Sequence, residues 1–352
     1  MPRAASDTGF PATWGDPSRI DSRVVDGGSA AVDIYLDAAR SVADDRGVTS
    51  CVHWYPPGQG SARSRTAAFV TLYAVRPFSQ VELDRIVHDT AHELVHVLQC
   101  AVTNRSGSVN GTTLDLSLVE GSAEAYALAS SGFIDASALA RAIRAPGPVL
   151  APLARATGDP YSRFPFWYQL FGAPSAKRYV ALLRSAVAAP PGEHRQGDAN
   201  LVYRAFGETG VQRALIRFAS VVVLGGDIGG VRYDPPWEVD VAALAQLAPS
   251  SGAPTSSQVR LQQGAYGYLV VTWPEGVTEL TVATTGVPAA RAAEAVAAGT
   301  REGGQVGQTG SIWHLSRECD AAGRCKGDGK AYITVANGRR SPLALTVNVA
   351  AP

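Results

Sequence analysis

The chain has 352 residues, enough for one large domain or two ordinary ones, and either could bury a real core. Lysine plus arginine and aspartate plus glutamate balance at 31 each, with no basic tail or stripe, which argues against a nucleic-acid or anionic-membrane partner. Apolar residues make up 46% and no apolar run reaches about 18 residues, so a folded globular protein without a transmembrane helix is expected.

In chain order, "AAVDIYLDAARSVADDRG" (30–47) spaces its apolar residues as a helix does and stops at a glycine. "VTSCVHWYPPG" and "TAAFVTLYAV" are rich in β-branched and aromatic residues and predict two strands, neighbours in one sheet. A long helix is expected from about Gln80 to Cys100, with Ser79 as its N-cap. After the polar loop "TNRSGSVNGTT" comes a second helix, "LDLSLVEGSAEAYALASS". Further helical segments are "DASALARAIRA", "RFPFWYQLFG", "SAKRYVALLRSAV", "ANLVYRAFGE" and "TGVQRALIRFASVVVL". "VVVLGGDIGG" (221–230) imitates a phosphate loop but fits neither glycine fingerprint, and predicts a glycine-rich turn.

"AQLAPSSGAPTSSQ" (245–258) reads as a linker. Beyond it the pattern changes to period-2 segments: "QVRLQQG", "YGYLVVTW", "TELTVATTG", "SIWHLSR", "KAYITVAN" and "LALTVNVA". The expected organisation is α+β: a small sheet plus helices over 1–250, then an all-β, sandwich-like accessory domain over 256–352. Trp273 and Trp313 in that second domain fit either core positions or a face that binds protein or glycan.

Cys319 and Cys325 bracket a short loop and suggest one disulfide, and Cys51 with Cys100 would form another. Two disulfides point to an oxidising compartment, hence a secreted protein. The opening residues lack the apolar core of a signal peptide, so the protein is either cytosolic or a mature form after signal removal, and the cysteines favour the second. Asn104 and Asn110 fit the glycosylation sequon.

The chemistry concentrates in "VHDTAHELVHVLQC" (87–100). On a helix His92 and His96 are one turn and about 40° apart, so both imidazoles reach one ion. Glu93 lies about 100° round from His92, within reach of a water on that ion but badly placed as a ligand. Two histidines with the intervening glutamate as general base form the metal-hydrolase arrangement. A purely structural helix would leave a carboxylate and imidazoles in an apolar wall, at a cost of several kcal/mol for an unpaired charge. His88 and Asp89 read as a polar helix start, or as residues that line the site or fix His92. His53, His194 and His314 read as structural or solvated.

A catalytic zinc needs a third protein ligand. No histidine follows at the metzincin spacing. Instead "LVEGSAEAYA" sets Glu120 and Glu124 four residues apart on one helix face. "HELVH…LVEGSAEAYA" resembles the gluzincin metallopeptidases. The resemblance covers roughly 30–220 and is strong over 88–126; it implies a zincin-like domain holding Zn²⁺. It matches Glu120 to the third zinc ligand and Glu124 to a carboxylate that orients His92. It matches Tyr161, and after it Tyr168, to the donor that stabilises the oxyanion. Phe164 departs from the small residue usual there, and Val119 precedes Glu120 where several relatives have Asn. The implied activity is that of a zinc-dependent endopeptidase acting on protein or peptide, with residues 66–75 offering a strand edge to an extended substrate. The alternatives are a catalytically silent, zinc-containing binding protein of the same fold, and a purely structural helical domain with a lectin-like tail.

Overall fold

A computed structural model describes residues 33–37, 47–54, 65–73, 79–103, 116–133, 160–171, 178–179, 181–183, 199–228, 231–233, 243–301, 304–327 and 329–352. It is a mixed α+β protein that divides into two compact units. The first comprises Met1–Ala138, Pro152–Phe164 and Phe171–Leu201; the second comprises Leu139–Ala151, Pro165–Leu170 and Val202–Pro352.

In the first unit β1 (Asp33–Asp37), β2 (Gly47–Trp54) and β3 (Arg65–Tyr73) form a sheet in the order β1-β3-β2. β1 runs parallel to β3, and β2 runs antiparallel to it with Thr49 opposite Val70. Two expectations are corrected here. Residues 33–37 are a strand and not part of a helix, because Ile34 and Tyr35 pair with Val70 and Thr71 of β3 and tertiary pairing overrides the helical preference of the alanines around them. Gly47 opens β2 instead of ending a helix. The second correction concerns the substrate edge: β3 is the central strand and is paired on both sides from Phe69 to Leu72, so that stretch offers no edge, while Thr66–Ala68 pair with β2 alone among the described residues.

Helix α1 (Gln80–Thr103) packs across β2 and β3. It starts where expected: the Glu82 amide donates to Ser79 Oγ at 3.2 Å, satisfying one of the amides a helix start leaves unpaired. An ion pair between Arg85 and Glu82 follows in the first turns. Helix α2 (Leu116–Ser131) packs along α1. Residues 88, 92, 96 and 99 of α1 meet 131, 124, 120 and 119 of α2 in that order, so the two helices are antiparallel. A 3₁₀ turn (Pro160–Arg163) packs on α2 and leads into α3 (Phe164–Phe171).

The second unit contains α4 (Ala199–Leu224) from Val202 onward, kinked at Gly207, whose φ of 69° suits glycine. The two helices read from the sequence meet at this non-helical glycine. At 221–230, Val221–Leu224 end α4, and Gly225 turns the chain into a small hairpin of β4 (Gly226–Ile228) and β5 (Val231–Tyr233). Next come β6 (Ala245–Leu247), β7 (Thr255–Leu261), β8 (Ala265–Thr272), β9 (Glu279–Thr285), α5 (Ala289–Ala295), β10 (Val296–Gly299), β11 (Gly304–Thr309), β12 (Ile312–Arg317), β13 (Lys330–Asn337) and β14 (Leu343–Ala350). The expected linker over 245–258 therefore supplies strands, with β6 parallel to β8.

One sheet has the order β10-β13-β8-β6 and the other β11-β12-β9-β14-β7. Their inner faces share one core, with Leu269, Val271, Ile333 and Val335 from the first and Val282, Leu315, Leu345 and Val347 from the second. Alternate residues of β14 point inward, as period-2 burial requires. Trp273 and Trp313 are 6% and 2% exposed and belong to this core, the first of the two expected alternatives. His314 is exposed. Cys319 and Cys325 form the expected disulfide. The side chains of Cys51 and Cys100, and the expectations for Asn104, Asn110, His53, His194 and 135–145, lie outside what is described. Among the described residues no helix is long and apolar enough to cross a membrane.

Candidate metal centre

Helix α1 buries polar side chains beside the apolar Val95 and Val97. His88, His92, Glu93 and Gln99 are buried, while Val81, Leu83, Val87 and Leu94 are exposed. Burying polar groups is tolerated only where each finds a partner, and here each does.

His92 and His96, one turn apart, aim their Nε2 atoms at the same point, 3.1 Å from one another. Glu120 Oε2 on α2 lies 3.4 Å from His92 Nε2 and 3.2 Å from His96 Nε2. The other side of each ring is held. His92 Nδ1 donates to Glu124 Oε2 at 3.1 Å, and the second oxygen of that carboxylate accepts from His88 Nε2 at 3.1 Å. His88 Nδ1 lies 3.3 Å from Ser131 Oγ. His88 therefore acts on the site through Glu124, as more than a polar helix start.

His96 Nδ1 lies 2.8 Å from Gln99 Oε1. The orientation of that amide is fixed, because Gln99 Nε2 donates to the Val119 carbonyl at 3.0 Å and to the Tyr179 hydroxyl, which also bonds Ser122 Oγ at 2.8 Å. With both Nδ1–H groups committed to acceptors, the neutral rings turn bare Nε2 lone pairs towards a carboxylate oxygen.

Three lone pairs so close repel one another unless a cation sits among them. A tetrahedral zinc with ligands at about 2.0–2.1 Å sets neighbouring ligand atoms about 3.3 Å apart, which is the spacing of this triangle. His92, His96 and Glu120 could hold such an ion, and they form the metal-competent group among the described residues. Without metal a proton serves instead. Burial opposes the charged ring of His92, but hydrogen bonds to Glu120 and Glu124 and the charges of Glu124 and Glu93 outweigh it and raise the pKa to about 10. Burial alone would raise Glu120; hydrogen bonds and charge from His92 and His96 instead hold it down at about 2. Glu124 is held well below the usual carboxylate range against its own burial, by its bonds to His88 and His92.

Glu93 is 6% exposed and sits under β2, where Thr49 Oγ1 lies 2.6 Å from its Oε2 and 2.9 Å from its main-chain carbonyl. The Tyr161 ring centroid stands 5.8 Å from that of His92, and Tyr161 is 42% exposed, so its hydroxyl-bearing ring borders the cluster and meets solvent. Tyr168 belongs to the second unit and is half-buried.

Sequence reasoning named His92, Glu93, His96, Glu120, Glu124 and Tyr161, and the fold brings them together. It missed Gln99, Ser122, Tyr179, Gly47 and Thr49. Gln99 lies three residues after His96, the i,i+3 reach of a helix, and that spacing was the available signal. No family model, curated protein or solved structure matches the chain.

Proposed function

We propose that the chain is a zinc-dependent peptide-bond hydrolase, a divergent gluzincin-type endopeptidase with a zincin-like first unit. The observation that carries the reading is the convergence of His92 Nε2, His96 Nε2 and Glu120 Oε2, with both histidines locked from behind by Glu124 and Gln99. The choice of peptide bonds rests on the resemblance of "HELVH…LVEGSAEAYA" to that family.

His92, His96 and Glu120 would hold the zinc; bound there, it supplies Lewis acidity and lowers the pKa of water towards neutrality. Glu93 is not among the converging ligands. Its carboxylate takes the proton of the attacking water and returns it to the departing amine. Glu124 keeps the His92 proton on Nδ1, and Gln99 does the same for His96, so both Nε2 atoms stay available as ligands. Tyr161 donates its hydroxyl proton towards the carbonyl oxygen as negative charge builds there. The Cys319–Cys325 disulfide supports the accompanying proposal of secretion.

The test is elemental analysis followed by a casein assay. One zinc per chain, lost in His92→Ala, together with casein cleavage abolished in a Glu93→Gln variant that keeps its zinc, is the expected result. Zinc bound without cleavage would leave a silent binding protein of the same site, and no zinc would leave a structural helix.

A further inference from the structure

From outside its own helix, Glu93 is contacted by strand β2 in two places. β2 approaches α1 with Gly47 and Thr49, residues two apart and hence on one face of the strand, while Val48 between them is 40% exposed on the other. Thr49 Oγ1 has two acceptors on the same residue: the Glu93 carboxylate at 2.6 Å and the Glu93 main-chain carbonyl at 2.9 Å. One hydroxyl thus ties the end of the side chain to its own backbone, which fixes the torsions between them. At Gly47 a Cβ would lie 2.9 Å from Glu93 Cγ and 2.9 Å from Oε1, inside any normal contact. Glu93 fills the space that the missing side chain leaves.

We propose that β2 is the positioning element for the general base: Thr49 holds the Glu93 carboxylate in its working rotamer, and Gly47 is glycine to leave room for it. The inference rests on the hydrolase reading for its catalytic consequence but not for its geometry. The Thr49 hydroxyl suits a group that gains and loses a proton. When Glu93 is ionised, Thr49 donates to it. When Glu93 has taken the proton of the attacking water, its O–H donates to Thr49 Oγ1, and the threonine proton turns to the Glu93 carbonyl. The contact survives both halves of the cycle, and no proton is lost from the pair.

The experiment compares Thr49→Val, Thr49→Ser and Gly47→Ala with the wild-type full chain, by zinc content, casein kinetics and crystal structures of the zinc-loaded proteins. Thr49→Val keeps the shape and removes the donor. It should hold one zinc, keep KM, and lose roughly 10- to 100-fold in kcat, the effect of one hydrogen bond to a charged group. Thr49→Ser should restore kcat close to wild type. Gly47→Ala should lower kcat like Thr49→Val and also lower the melting temperature, because the buried Glu93 side chain that it strikes must leave its Thr49 partner. In the crystals the Glu93 carboxylate should leave its wild-type rotamer in Thr49→Val and Gly47→Ala and keep it in Thr49→Ser. Wild-type kcat in Thr49→Val, an unmoved Glu93, or a loss that tracks zinc content or KM would overturn the inference. If the wild type itself cleaves nothing, the rotamer comparison still decides it, and only the hydrolase reading falls.

Discussion

His96 Nδ1 and Gln99 Oε1 are 2.8 Å apart, and the rest of the Gln99 amide is spoken for by the Val119 carbonyl and the Tyr179 hydroxyl. Gln99 is therefore a fixed acceptor, one that a rotating side chain could not replace. The ring of His96 inherits its orientation from a residue that is not itself one of the three converging groups.

Replacing Gln99 by leucine should weaken zinc binding by about 10–100-fold, the usual effect of removing an outer partner from a metal-binding histidine. Competition with a chromophoric chelator measures it. Unchanged affinity would mean that helix α1 alone orients His96.

Glu124→Gln removes the carboxylate shared by His88 and His92 and should weaken zinc by a similar factor of about 10–100. His88→Ala, which leaves Glu124 and its bond to His92 in place, should weaken zinc less than Glu124→Gln. The reverse order would show that His88 acts otherwise than through Glu124.

Zinc uptake should release protons. His92 is raised to about 10, so at neutral pH the metal-free ring is charged and the ion must displace its proton. Apparent affinity then falls as pH is lowered. Calorimetry in two buffers of different ionisation enthalpy reads the proton directly, and identical heats would refute it.

The same shifts set the pH response of the metal-free protein. A raised histidine stabilises the fold below its ordinary value of 6.5, and the contribution is lost as pH rises through about 10. The lowered Glu120 contributes above its ordinary value of 4.5 and is lost as pH falls through about 2. Between those ordinary values both contributions are present. Thermal unfolding in excess chelator should show this cluster stabilising most there, and a melting temperature that climbs from pH 7 to 10 would contradict the sign.

In the second unit Gln212 is buried and donates to the carbonyls of Glu294 and Ala336, both at 3.1 Å, while its Oε1 accepts from the Gly338 amide at 2.7 Å. Gln212→Ala strands all three groups and should cost on the order of 3 kcal/mol by urea unfolding. A cost below about 1 kcal/mol would mean that water replaces the amide.

How much of this was legible follows from the range over which each signal acts. Helix α1 was readable because one helical turn sets the spacing of His92, Glu93 and His96, and Ser79 announces its start. The strands of the second unit were readable because sidedness repeats every second residue. β1 was not, since its identity comes from β3, which lies more than thirty residues on. Thr49 was not either: its partner Glu93 is 44 residues away, and threonine in a strand is ordinary. Gly47 looked like a helix stop because glycine serves that role locally, and only the close approach of Glu93 gives its other reason. β6 hid in a run of small residues whose pairing with β8 is not encoded nearby.

Gly338 carries a consequence for heredity. A Cβ added there would fall 2.4 Å from Gln212 Cα and 2.6 Å from its amide nitrogen, so the turn after β13 lies directly on the backbone of α4. Neither partner can drift alone: any residue but glycine on one side demands displaced main chain on the other. The turn after β13 is therefore covered by α4 backbone to backbone. A recombination event that cut the gene between α4 and β6 would leave that turn uncovered.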